Sequence, residues 1–173
     1  MKDAQAVIVF AVHLDEEVIR DAPGKKYNTA VPRSFRMLRI IAQKASRWLR
    51  AMGYNAHPCH NQADIGHKRD AELAGLGKIG DHTLLITPEY GCRVHLNSVI
   101  TNALLIPDKP VMKELCDHCE ECIRRYPANA ILDKKRIAKD RCINYRKNNL
   151  KRNYCGICMK VCWEHLKLKV LCG

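Results

Sequence analysis

The chain has 173 residues, a formal charge of +12 and ten cysteines. That length suits one domain, or one domain with a small appendage. No apolar stretch approaches the ~20 residues of a membrane helix, and the start, MKDAQAVIVFAVHLDEE, has no small-residue cleavage site after its short apolar run. The expectation is a cytoplasmic protein with no membrane association. In a reducing compartment, clustered cysteines bind metal or do redox chemistry more often than they form disulfides. The charge suits a solvated surface, or a polyanionic partner such as RNA or an acidic electron donor. Its densest runs are KKRIAKDR (134–141) and YRKNNLKRN (145–153).

In chain order, AVIVFAVHL (6–14) is β-branched and apolar and reads as a buried strand. DAPGKKYNTAVP (21–32) is broken by Pro and Gly and reads as a loop. From Ser34 a helical pattern begins. Leu38, Ile41, Ala45, Trp48, Leu49 and Met52 recur at three- and four-residue steps, and Gly53 closes the helix. Trp48 is expected in the core. Tyr54 to His60 reads as extended, and His67 to Ala74 as a short helix ending at Gly75. TLLITPEYG (83–91) and RVHLNSVIT (93–101) read as strands joined by a turn. In the second, Val94 and Leu96 share one face, with Arg93, His95 and Asn97 on the other. LIPDKPVMKEL is a linker, and the boundary falls near 108–114. This gives a core over 1–110 and a cysteine-rich tail over 111–173.

AGLGKIG places Gly75, Gly77 and Gly80 in a G-x-G-x-x-G. A dinucleotide fingerprint needs a strand before it and a helix after it. Here the order is reversed, so the Rossmann reading fails. Either a helix end unwinds into a tight turn, or bare backbone approaches a large cofactor.

The cysteines carry the chemistry. One group is Cys116-x2-Cys119-x2-Cys122. The other is Cys142-x12-Cys155-x2-Cys158-x3-Cys162. Bacterial iron–sulfur proteins run C-x2-C-x2-C-x3-C-P, with the last cysteine serving the other cluster. If Cys162 crosses over, it joins Cys116, Cys119 and Cys122 in one complete four-iron site. Cys142, Cys155 and Cys158 are left for a second site, and Tyr126 stands before Pro127 where its fourth thiolate belongs. That site is incomplete, or it recruits Cys172, His165 or Cys92. A zinc ribbon of Cys116, Cys119, Cys155 and Cys158 is the rival, though it leaves three well-spaced cysteines idle. The remaining histidines, His82 among them, show no metal-ligand spacing. Cys59 and Cys92 read as small buried hydrophobes.

The segment AELAGLGKIGDHTLLITPEYG, followed by a strand and then by CGICMKVCW, resembles the epoxyqueuosine reductases and their relatives the reductive dehalogenases. The likeness runs from about 68 to 163. It implies an α+β chain: a partial nitroreductase-like α/β core, then a small ferredoxin-like domain with two 4Fe-4S clusters. It also implies cobalamin against the Gly75, Gly77 and Gly80 turn, with Arg93 on a cofactor carboxamide or phosphate. Electrons then come from a donor such as ferredoxin or flavodoxin. For an epoxyqueuosine reductase the substrate is a tRNA nucleoside, which the charge suits.

The sequence departs from the pattern in Tyr126, in Trp163 after the last cysteine, in Asp81-His82 where the family has Lys-Asn, and in Asn102. The family's acidic proton donor finds only Asn61 or Asp64 near its slot. No catalytic residue is assigned. A shortened, divergent relative is implied, for which a homo-oligomer is plausible. Three readings stay open: an iron–sulfur electron-transfer or cobalamin-linked reductase, a true epoxyqueuosine reductase, and a zinc-stabilised nucleic-acid-binding module.

Overall fold

The structure is a computed structural model describing residues 1–59, 66–133 and 135–172, with side chains to Lys167. His60, Asn61, Asp64 and the side chain of Cys172, weighed above, lie outside the described residues. The first part comprises β1 (Ala6–His13), α1 (Glu16–Arg20), α2 (Lys25–Ala51), β2 (Ala56–Pro58), α3 (His67–Leu73), β3 (Lys78–Ile79), β4 (Leu85–Ile86) and β5 (Val94–Thr101). Residues 102–120 follow without helix or strand. The tail comprises α4 (Glu121–Arg124), β6 (Ile131–Asp133), β7 (Arg136–Ile137), α5 (Lys139–Asn144), a π-helical turn (Tyr145–Asn149) and α6 (Ile157–Cys172).

β5 is the middle of a three-stranded antiparallel sheet with β1 on one side and β2 on the other. The register pairs Ala6 with Thr101 and His13 with Val94, and across the other edge Pro58 with Val99. Its central place explains why Val94, Asn97, Ser98, Val99 and Thr101 are all buried, against the two-faced alternation read from the sequence. β1 is an edge strand and half-buried, not the buried strand its apolar run suggests. Pro58 is tolerated because β2 is the opposite edge, where one N–H is dispensable. Of 83–91, Leu85 and Ile86 form a strand, which pairs with β3 and not with β5.

α2 packs on this sheet. Val31, Ser34, Leu38, Ala42, Ser46 and Leu49 are its buried stripe. Ala42 and Leu49 meet Ala56, Val99 and Ala103. The helix phase is set by these small residues, and it turns Trp48 outward, 63% exposed, where the core was expected. The expected loop over 21–32 is also corrected, because α2 starts at Lys25 and carries Pro32 inside it. An interior proline costs about 3 kcal/mol. Burial of Tyr27 and Val31 offsets it, as does the Asp21 carboxylate accepting from the Tyr27 N–H at 3.0 Å. Asn28 adds two bonds to the backbone of distant Tyr154. Its Nδ2 donates to the carbonyl and its Oδ1 accepts from the N–H, each at 3.0 Å.

α6 closes onto the first part. Met159 and Trp163 share an apolar cluster with Leu14, Val18, Ile19, Tyr27 and Val31. Arg20 and Lys167 lie over the Trp163 ring, 5.4 and 5.2 Å from its centroid. Gly156 has φ +69, and a Cβ there would sit 2.3 Å from the Tyr27 ring, so glycine alone lets α6 begin against α2. Residues from both sides of the 108–114 segment thus meet in one cluster.

His95 ties β5 to α2. Its Nδ1 lies 2.6 Å from Ser34 Oγ, whose own hydrogen goes to the Val31 carbonyl, so Nδ1–H is the donor. Its ring stacks on Phe35 with centroids 4.5 Å apart. Burial lowers its pKa to about 4. The unfolded chain therefore takes up this proton first, near the ordinary value of 6.5. Stability from this group is full above that pH and is lost as pH falls toward about 4, by as much as about 3 kcal/mol. Thermal unfolding measured across this window should show the loss, and His95→Gln should flatten it.

Candidate metal centre

Cys116 and Cys119 stand on the irregular segment before α4, Cys122 on α4, and Cys162 on α6. Their side chains line one cavity with about 330 Å³ of empty space, part of it open to solvent. On either side of Cys119, His118 and Glu120 have φ of +55 and +59. Such left-handed residues in a tight loop make a concave nest of N–H groups, a device that holds anions and iron–sulfur cores. The four thiols crowd one another. Cys122 is pushed up to about 12, first by burial and then by Cys162, Cys116 and Cys119. Burial also raises Cys116 and Cys119. Cys162 is raised first by its hydrogen bond with Cys92 and then by burial, while His82 acts in the opposite sense.

Two residues of this wall were missed as site residues in the sequence, Asp81 and His82, each 1% exposed. His82 Nδ1 accepts from the Leu84 N–H at 3.2 Å, which leaves the hydrogen of the neutral ring on Nε2. That Nε2 is buried beside Cys162 and Cys92, and hydrogen bonding from His82 pulls the Cys162 thiol down. Asp81 Oδ2 meets His118 Nδ1 at 2.9 Å, and its Oδ1 is buried and unpartnered. Orphaned polar atoms in residues lining a cavity are costly unless a guest meets them. The signal was present as the departure from Lys-Asn at 81–82, but a lone histidine gave no reason to act on it.

The second group gathers around Tyr126. Tyr126 and Cys155 belong to one buried cluster with Cys122, and Cys142 and Cys158 pack against it. The Tyr126 hydroxyl donates to Cys142 Sγ at 3.0 Å. Cys158 is pushed up to about 12 by burial, then by Cys155 and Cys142. Burial raises Cys155 and, strongly, the Tyr126 phenol, with the Cys142 hydrogen bond acting next on Tyr126. Of the residues weighed for recruitment, Cys92 lies with His82 and Cys162, and His165 with Asp117 and Cys119, so both stand at the first group.

A zinc ion bound at ~2.3 Å by four thiolates draws the sulfurs to about 4 Å of one another. Among the described residues, the groups with ligand atoms mutually within 4.8 Å are His82–Cys92–Cys162, Asp81–Cys116–His118 and Asp117–Cys119–His165. Cys116, Cys119, Cys155 and Cys158 form no such group. The wider thiol spacing suits a multinuclear core better than one ion.

The glycines have a reason inside the chain. A Cβ on Gly75 would sit 2.3 Å from the Lys109 carbonyl oxygen, on Gly77 2.0 Å from that of Ile86, and on Gly80 2.7 Å from the Ile86 side chain. Arg93 donates through Nη1 to the Leu14 carbonyl. A roomier cavity, about 840 Å³ of empty space and part open to solvent, is lined by Pro32, Phe35, Arg36, Arg39, His67, Leu96, Asn97 and Tyr154. Tyr154, in its wall, immediately precedes Cys155 in the chain.

No protein-family model matches the chain. It is 37% identical over 134 residues, 76% of its length, to the tetrachloroethene reductive dehalogenase of Desulfitobacterium hafniense, covering 24% of that protein. It is 39% identical over 88 residues, 49% of its length, to the epoxyqueuosine reductase of Listeria monocytogenes, covering 23% of that protein. The chain is a relative of the reductive dehalogenases and epoxyqueuosine reductases. A solved reductive dehalogenase, described with a mechanism for B12-dependent dehalogenation, matches 95% of this reductase relative at TM-score 0.78 and 24% identity, over 28% of its own chain. An epoxyqueuosine reductase with a modified tRNA-Tyr stem loop matches 84% at TM-score 0.59 and 21% identity, over 41% of its own chain. These likenesses establish a shared mixed helix-and-sheet fold. The chain spans about a quarter of the length of these two curated relatives, and half or less of others it matches. Among its described residues, no helix is long and apolar enough to cross a membrane.

Burial and neighbouring groups push the thiols of Cys116, Cys119, Cys122, Cys155, Cys158 and Cys162 up, while metal takes the thiolate, so each of these ligands bound releases a proton. Iron uptake by metal-free protein, followed anaerobically by absorbance, should therefore strengthen as pH rises from about 6.5 to 8.5. Cys122→Ser should remove part of that dependence.

Proposed function

We propose that the chain is an iron–sulfur redox unit of a cobalamin-linked reductase. In this reading a partial nitroreductase-like core over 1–110 is followed by a ferredoxin-like lobe over 111–173. The observation that carries it is the cavity ringed by Cys116, Cys119, Cys122 and Cys162, whose wall holds the orphaned Asp81 Oδ1 and sets His82 beside Cys162. That donor set fits a 4Fe-4S cluster, with the four thiolates as ligands and the nest around Cys119 facing its anionic sulfides.

For the corrinoid, the fit lies in the roomier cavity. Phe35 and Tyr154 offer flat apolar rings to a macrocycle. Arg36, Arg39 and Asn97 offer donors to its amides and phosphate. Gly75, Gly77, Gly80 and Arg93 remain the further candidates for contact with the corrinoid. When bound, the clusters supply one-electron transfer and the corrinoid supplies the reducing metal. The protein's part is to set Tyr154, in the cavity wall, next to Cys155 in the chain, and to bury Cys122 and Cys155 within their thiol groups.

A second reading, reduction of a tRNA nucleoside, is favoured by α2, which presents Arg33, Arg36, Arg39, Arg47 and Arg50 along one helix. Its test is a salt titration of tRNA binding against another polyanion, since +12 binds any polyanion at low salt. A cytoplasmic setting, an acidic donor such as ferredoxin or flavodoxin, and self-association through exposed Trp48, Leu104, Ile106 and Met112 complete the proposal.

Anaerobically purified protein should absorb broadly in the visible, bleach with dithionite and carry at least about four irons per chain. Cys162→Ser should lower that iron content. Added cobalamin should be retained at micromolar concentration, and released by Phe35→Ala combined with Arg39→Glu. A colourless, zinc-loaded protein would end the iron–sulfur reading. Retention of no cobalamin would end the corrinoid reading alone.

A further inference from the structure

We propose that the second centre is a three-thiolate iron–sulfur site, held by Cys142, Cys155 and Cys158, with its fourth corner closed by the Tyr126 phenol as a hydrogen-bond donor to Cys142 and not by a fourth ligand. This rests on the reading that the tail binds iron–sulfur clusters. It assigns the second site a three-iron, four-sulfide core.

Four observations meet here. The spacing puts Tyr126 immediately before Pro127, in the slot of the fourth cysteine of C-x2-C-x2-C-x3-C-P. The fold brings that slot to the second thiol group: Tyr126 is 1% exposed and shares a buried cluster with Cys155, against which Cys142 and Cys158 pack. The hydroxyl stands 3.0 Å from Cys142 Sγ, a hydrogen-bonding distance. Ligand atoms on different irons of a cubane are held apart by the width of the inorganic core, so an oxygen this close to one thiolate is not the ligand of another iron. Finally, the two described substitutes are spoken for, the side chain of Cys172 lying outside the described residues. Cys92 sits with His82 and Cys162, and His165 with Asp117 and Cys119, at the other centre.

The chemistry agrees with this assignment. Three thiolates satisfy three irons and leave a fourth without an anionic protein ligand. An O–H···S bond to Cys142 stabilises the added electron on reduction and raises the potential of the centre. Tyr126 is a positioning and tuning residue here, since it touches a ligand and not a substrate.

The test is iron and acid-labile sulfide analysis of anaerobically purified full chain, with electron paramagnetic resonance of oxidised and reduced samples. About seven irons per chain are expected, with a three-iron signal in the oxidised form that disappears on reduction. Tyr126→Cys should raise the count to about eight and abolish that signal. Tyr126→Phe, which keeps the ring and removes the donor, should keep the iron and the signal and lower the midpoint potential of that centre alone. About eight irons without a three-iron signal in the unaltered chain overturn the proposal, and Cys172→Ser then identifies whether Cys172 supplies the ligand. About four irons, from one full cluster, overturn it too. A signal that Tyr126→Cys leaves untouched also overturns it. Protein that binds no iron defeats the proposed function itself, a different outcome from all of these.

Discussion

Buried thiols do not gather without cause. As thiolates they repel one another in a poorly solvated space, and as thiols they form weak hydrogen bonds at best. Here Cys116, Cys119, Cys122 and Cys162 wall one cavity, and burial plus mutual repulsion lifts Cys122 far from its ordinary value. A cationic inorganic core reverses the sign of that interaction, turning crowding into ligation. In the proposed function, the geometry of the loops of this tail, which has little regular structure beyond α6, depends on this one reversal. Left-handed His118 and Glu120, the turn at Lys135 whose N–H reaches the Asp81 carbonyl at 3.3 Å, and the π-helical turn after Cys142 all bend the chain around sulfur.

Much of this was legible in the residues. The β-branched runs gave β1 and β5, the apolar periodicity gave the later two-thirds of α2, and Gly75 at φ +75 ends α3 as expected. Cysteine spacing grouped the thiols that the fold brings together. What the sequence hid depends on distant partners. Pro32 argues locally against a helix, and the bonds from Asn28 to Tyr154 that support one come from the far end of the chain. The phase of α2 is chosen by Ala42 and Ser46 fitting close to the sheet, which local hydrophobicity ranks below Trp48. β3 is two residues long and has no pattern to read.

The site was legible in its ligands but not in its walls. Asp81 and His82 lie far in sequence from the cysteines and carry no motif of their own. Only the fold brings them to the cavity, and only the unmet Asp81 Oδ1 and the place of His82 beside Cys162 mark them out. The glycines teach the converse. Their spacing alone does not show that each has a steric reason within the chain, from the backbone at Lys109 and Ile86 and from the Ile86 side chain.

The paired bonds between Asn28 and the Tyr154 peptide have a consequence for electron flow. A side-chain amide that both gives to and takes from one peptide acts as a small splint, holding it as a neighbouring strand would. Cys155 follows directly, and Gly156, just before α6, is wedged against Tyr27. The stretch joining sulfur to the larger cavity therefore has little freedom to relax when charge arrives. In the proposed redox role, a rigid stretch of this kind keeps reorganisation energy low, so that the fixed gap between centres would govern electron transfer, and not motion of the protein around them.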